Sequence, residues 1–176
     1  VAATSEAKMT DTDATAMQDI ELTASNTSVV GNLAGSVNGA QGGAVSAAVS
    51  VNTVADTVTA KIEDGQIDAG RDIVLDASNT AVIGNIAVGG SGAQFFAAGG
   101  SVVVNTIANT TEAAIVGTAI DNTAVEAGRD IILEASDTTV IGAIAGAIQF
   151  TITGGSVGAA VAVNTIDNKV KNRIQT

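Results

Sequence analysis

Asp72-Ile73-Val74-Leu75-Asp76-Ala77-Ser78 decides the reading of this chain. Ile73, Leu75 and Ala77 fall on one side of an extended backbone, and Asp72, Val74 and Asp76 on the other. A period of two with β-branched residues is the signature of a half-buried strand. The pattern recurs as Asp-Ile-x-Leu-x-Ala-Ser at Asp19–Ser25 and Asp130–Ser136, so Ile20, Leu22, Ile131 and Leu133 repeat the roles of Ile73 and Leu75. The spacings are 53 and 58 residues.

A second motif keeps step with the first. Val-Asn-Thr stands at Val51–Thr53, Val104–Thr106 and Val163–Thr165, with spacings of 53 and 59. Repetition at a fixed long period is the mark of solenoids and related arrays. The whole chain, 1–176, reads as one solenoid segment of three units, 7–59, 60–112 and 113–171. The extra length of the third unit falls mostly in Val116–Glu126. The chain begins and ends near the same phase of the repeat, which fits a piece of a longer array or a protomer continuing into the next one. Asn52, Asn105 and Asn164 read as structural residues, at turns or in an interior ladder. Ile62 and Ile67, with Gly65 between them, predict two short strands around a corner.

The expected fold is all-β: a parallel β-helix, with right-handed crossovers as the default for parallel strands. Dividing each unit by about 18–20 residues per coil predicts about three coils per unit, some nine in all, in a rod on the order of 40–45 Å long.

Composition narrows the chemistry. The 176 residues include 20 Gly and three Phe but no Pro, Cys, His, Trp or Tyr. Without Cys and His there is no zinc finger, haem ligand, Ser-His-Asp triad or Cys-His dyad. A net charge of -11 argues against nucleic-acid binding, which draws on clustered Lys and Arg. Glu21, Asp76 and Glu134 read as carboxylates placed by the repeat, which points to structure rather than acid–base catalysis. No cofactor or metal site is expected. Asp11, Asp13 and Asp64 suggest at most weak surface cation binding. The residues therefore point to a non-enzymatic protein.

Charge is segregated. Leu22–Ala55, Ala77–Thr111 and Thr138–Ile166 carry no charged side chain. Val140–Val163 is long enough to cross a bilayer. Gln149, Thr151, Thr153, Gly154, Gly155 and Ser156 interrupt it, and the neutral block occurs three times, so no transmembrane segment is expected. These blocks offer instead a flat neutral face for lateral association. Arg71-Asp72 and Arg129-Asp130 read as exposed corner pairs. Glu6, Asp11 and Asp13 near one end, and Lys169, Lys171 and Arg173 near the other, are candidates for head-to-tail contact between copies. Thr138, Thr139, Thr151 and Thr153 raise ice or glycan binding, against which the threonines are expected not to recur in register.

Ala-Gly-Arg-Asp-Ile-x-Leu-x-Ala-Ser, followed by an Ala/Gly-rich stretch and then Gly-Gly-Ser-Val-x-x-x-Val-Asn-Thr-Ile, resembles the repeats of large secreted bacterial exoproteins. These are the filamentous-haemagglutinin-like and leukotoxin-type filamentous adhesins of two-partner secretion. Gly99–Ile107 and Gly154–Ile166 carry the second half most clearly. The resemblance implies a parallel β-helix, an extracellular or cell-surface location, and an adhesive or stalk-like role with a host or cell-surface receptor as partner. The family's amino-terminal secretion domain has no counterpart in this sequence.

Overall fold

A computed structural model describes residues 1–117 and 123–175. Among the described residues, thirteen strands run in parallel ladders and there is no helix. The first coil comprises β1 (Thr4–Thr10), β2 (Ala14–Ala16), β3 (Ile20–Ala40) and β4 (Gly43–Val54). The second comprises β5 (Thr57–Glu63), β6 (Gln66–Ala69), β7 (Ile73–Ala93) and β8 (Phe96–Ile107). The third comprises β9 (Thr110–Val116), β10 (Ala124–Ala127), β11 (Ile131–Thr151) and β12 (Gly155–Ile166), and β13 (Lys169–Gln175) opens a fourth. Each strand pairs in parallel with its equivalent one repeat away, as in Thr4↔Thr57 and Thr57↔Thr110. The protein is a parallel β-helix.

One repeat is one coil. The expectation of three coils per repeat, and of nine in all, is therefore corrected. Three full coils stack, and equivalent positions lie one strand spacing apart, about 4.8 Å. The estimate failed because it assumed short strands. β3, β7 and β11 each run 21 residues without a break, about 70 Å of extended chain. Gly31, Gly84 and Gly142 sit inside these strands facing outward, matched to one another across the ladder.

The long strands divide each coil into two parts. In the first, here the head, the short walls β1/β5/β9/β13 and β2/β6/β10 close against the beginning of β3/β7/β11. Val58, Ile62, Ile67, Ile73, Leu75 and Ile115 fill this core. In the second, here the blade, the rest of β3/β7/β11 folds back over β4/β8/β12 as a two-layer sheet pair. Val54, Ala81, Ile83 and Ile107 form the neck between the two. Beyond it the interior narrows to Ala48, Ala87 and Val103, then to Ala44, Ala93 and Ala97. At its thinnest, Gly89 faces Gly100, and a Cβ on Gly89 would run into the Gly100 carbonyl.

Corners use local backbone chemistry. Asp64 and Gly65 both take positive φ, at 51° and 128°, turning β5 into β6. A side chain at Gly65 would meet the Thr12 backbone of the coil below. This is the corner expected between Ile62 and Ile67. In the third coil β9 ends at Val116 and β10 begins at Ala124, and residues 118–122 of the expected insertion lie outside the described residues. One further residue enters between β11 and β12, where three residues stand in place of two.

Candidate functional site

The repeated polar residues form ladders that run from coil to coil. Asn52 Nδ2 donates to Asn105 Oδ1 at 2.9 Å, and Asn105 Nδ2 donates to Asn164 Oδ1 at 2.9 Å. Asn32 and Asn85, from the facing sheet, donate into this ladder, to Asn52 Oδ1 and Asn105 Oδ1, each at 3.0 Å. Asn105 is fully buried, so this double ladder crosses the blade interior. These asparagines lie inside strands rather than at turns, two residues before the end of β4, β8 and β12. A buried amide needs several partners, and a stack of identical amides supplies them along its own axis.

Two more ladders flank it. Asn26 Nδ2 donates to Asn79 Oδ1 at 2.9 Å, and Asn79 Nδ2 donates to Asp137 Oδ2 at 2.8 Å. Asp137 also accepts from Asn168 Nδ2 at 2.6 Å and Thr139 Oγ1 at 2.7 Å. At the corner after β4, β8 and β12, backbone N–H groups donate to the side chain one coil on. Ala3 donates to Asp56 at 3.0 Å, Asp56 to Asn109 at 3.0 Å, and Asn109 to Asn168 at 3.1 Å. The sequence reading missed this column. Its signal was an Asp or Asn five residues after each Val of Val-Asn-Thr, at Asp56, Asn109 and Asn168.

The charged pairs also bridge coils, which corrects the reading of Arg71-Asp72 and Arg129-Asp130 as pairs within one corner. Arg71 Nε lies 3.4 Å from Asp19 Oδ1, and Arg129 pairs with Asp72 through both its Nε and Nη2. Each arginine thus reaches back to the aspartate of the preceding coil. The Arg129 guanidinium holds the Asp72 carboxyl below its ordinary range. On the first wall, Lys8 and Lys61 both pair with Glu63, the second at 2.9 Å. Their hydrogen bonds, first Lys8's and then Lys61's, lower the Glu63 carboxyl to about 2, and the same contact raises the Lys8 ammonium.

The hydrophobic repeat positions stand in register. Ile20, Ile73 and Ile131 share one column, and Leu22, Leu75 and Leu133 another. Ile73 and Leu75 are fully buried in the central coil, while Ile131 in the third is 38% exposed. Asp76 and Glu134 share a column with Thr23, and Glu21 lies one column away beside Val74 and Ile132, so the three carboxylates are not equivalent as expected.

The six end residues separate. Glu6, Thr59, Glu112 and Lys171 occupy one column of the four-stranded wall, with Glu6 and Lys171 on its outermost strands. Arg173 Nε is bound to Glu112 Oε1 at 2.6 Å. Lys169 continues the Thr4 column, on the strand at the opposite edge. Asp11 and Asp13 lie instead at the β1–β2 corner, where the Asp11 N–H donates to the Glu63 carbonyl and Asp13 Oδ1 accepts from the Gln66 N–H. Among the described residues, no group of three or more Asp or Glu is placed to hold a metal ion.

The blade carries the neutral blocks on both outer faces. On β3/β7/β11 the outward columns read Ser25/Ser78/Ser136, Thr27/Thr80/Thr138, Val29/Val82/Val140, Gly31/Gly84/Gly142 and Leu33/Ile86/Ile144. Thr53, Thr106 and Thr165 also align. Of the threonines that raised ice or glycan binding, Thr138 aligns with Thr27 and Thr80, whereas Thr139 stands against Ser28 and Ala81 and Thr151 against Ala40 and Ala93, so these threonines do not recur in register as a set. No helix among the described residues is long and apolar enough to cross a membrane. Comparison with protein-family models, with curated proteins and with solved structures finds no match to this chain.

Proposed function

We propose that this chain is a non-enzymatic structural and adhesive segment of a filamentous protein displayed outside a bacterial cell. The observation that carries the reading is the coincidence of repeat and coil. Each unit of 53–59 residues closes one turn, and its polar side chains bond to the same residues of the next turn. Such a unit contacts only its neighbours and can be repeated without redesign, which is the physics of a stalk. The likeness of Gly99–Ile107 and Gly154–Ile166 to filamentous adhesin repeats supports the extracellular placement and a cell-surface receptor. Antibodies raised against the segment should label intact cells of the source bacterium, and beads coated with it should bind host cells more than uncoated beads. Labelling only after lysis rejects the surface location, and equal bead binding rejects adhesion.

A second reading is a filament protomer that associates end to end. It is favoured by Glu6 and Lys171, which cap opposite edges of one column. Discrete short particles at every concentration in negative-stain microscopy reject it.

A further inference from the structure

We propose that the β3/β7/β11 face of the blade is a docking surface for the same face of a second copy, paired about a two-fold axis along the stacking direction. The proposal deepens the structural reading above and rests on it.

Relief is the first observation. Gly31, Gly84 and Gly142 form the floor of a groove that runs from coil to coil, and a Cβ on Gly31 or Gly84 would meet nothing within 4 Å. Leu33, Ile86 and Ile144 make the ridge beside it. Ile86 is 40% exposed although its coil is covered on both sides, so this exposure belongs to the face itself. A two-fold axis passing between the ridge and the groove lays each copy's ridge in the other's groove. The same operation sets Val29/Val82/Val140 over Gly35/Val88/Gly146, a column with glycine at two of its three positions.

Matching period is the second observation. The ridge and the groove both recur at the strand spacing, and only a partner with that spacing meshes along their full length. A second copy has it by construction, and an axis along the stack keeps the coils of both copies level.

Area and charge complete the choice of occupant. The columns that overlap run from Ser25 to Gly39, about 50 Å by 14 Å for three coils, or roughly 700 Å² per copy. The total of about 1,400 Å² is what a specific, stable interface buries. No charged side chain stands between Leu22 and Ala55, or between Ala77 and Thr111, so pairing desolvates no ion from these stretches. Asp76 and Glu134 lie in the column just outside the overlap, where they stay in water.

Sedimentation equilibrium of the purified chain tests this. A dimer is expected at concentrations of about 1–100 µM. Ile86→Lys should weaken it by about tenfold or more, since a charge would be buried in the groove. Val102→Lys, on the outer face of the opposite sheet, should leave it intact. The chain has no cysteine, so disulfide trapping is clean. A mixture of Gly84→Cys and Ile86→Cys chains should cross-link to the mixed dimer in preference to either like pair. A monomeric native chain, equal weakening by both lysine variants, or no preference for the mixed cross-link overturns the proposal. A circular dichroism spectrum without strand signal would count instead against the β-helical reading on which it rests.

Discussion

The head and the blade are built on the same two-residue alternation and filled to different depths. The head closes three walls around Ile, Leu and Val. The blade lays two long sheets together over Ala, Ser, Asn and paired glycines. A closed triangle leaves a central volume that only large side chains fill, whereas two flat sheets brought close leave room for small ones. The two regions therefore fail in opposite ways. The head is weakened by removing atoms, and the blade by adding them.

Removing atoms from the head should have the largest effect. Leu75 is fully buried among Ile62, Ile67, Ile73 and Ile115. Leu75→Ala should cost about 2–5 kcal/mol, by lost transfer energy plus the cavity left in a core walled on three sides. Urea unfolding followed by circular dichroism measures it. A loss below about 1 kcal/mol would mean that the head collapses around the gap and is not the rigid part of the coil.

Adding atoms to the blade should come next. Gly89→Val drives a branched side chain into the Gly100 backbone, which cannot rotate away. A cost of about 1–3 kcal/mol is expected, the range for overpacking a tight interior. The same valine at Gly84, which faces outward into open space, should change monomer stability little. Equal costs at the two positions would remove the distinction between the inner and outer sides of the blade.

The smallest effect belongs to the charged outer surface of the head, which has no counterpart on the neutral blade. Glu63 is lowered to about 2 by Lys8 and Lys61, against an ordinary value of 4.5. A carboxyl depressed on folding stabilises the native state above its unfolded value. That contribution is lost as pH falls from about 4.5 toward 2. The acid limb of a stability–pH curve should therefore be shallower in Glu63→Gln than in the native chain. Added salt should narrow the difference, because the pair is partly exposed. An unchanged acid limb would show that the pair contributes nothing measurable.

Much of the head was legible in the sequence. Ile73, Leu75 and Ala77 announce the inner face by alternation, and their copies announce the stacking by spacing. The blade was legible only in part. Its neutral blocks were visible, and so was the repeat of Asn52, Asn105 and Asn164. What misled was glycine. Gly89 and Gly99 punctuate the sequence as turns do, yet each lies within a strand, Gly89 against the Gly100 backbone and Gly99 against the Gln149 and Ser46 side chains. The partner of Arg129 was equally hidden. Asp130 is adjacent in sequence, but Asp72, one coil back, is the carboxylate it binds.

The sequence by itself determined that this chain is a stack of parallel strands repeating every 53–59 residues, because alternation and in-phase motifs are properties of order along the chain. Only the tertiary structure decided that each repeat is a single wide coil with a head and a blade. Coil size depends on where a strand stops, and a glycine that stops a free strand is held straight when a matching strand lies on its neighbour.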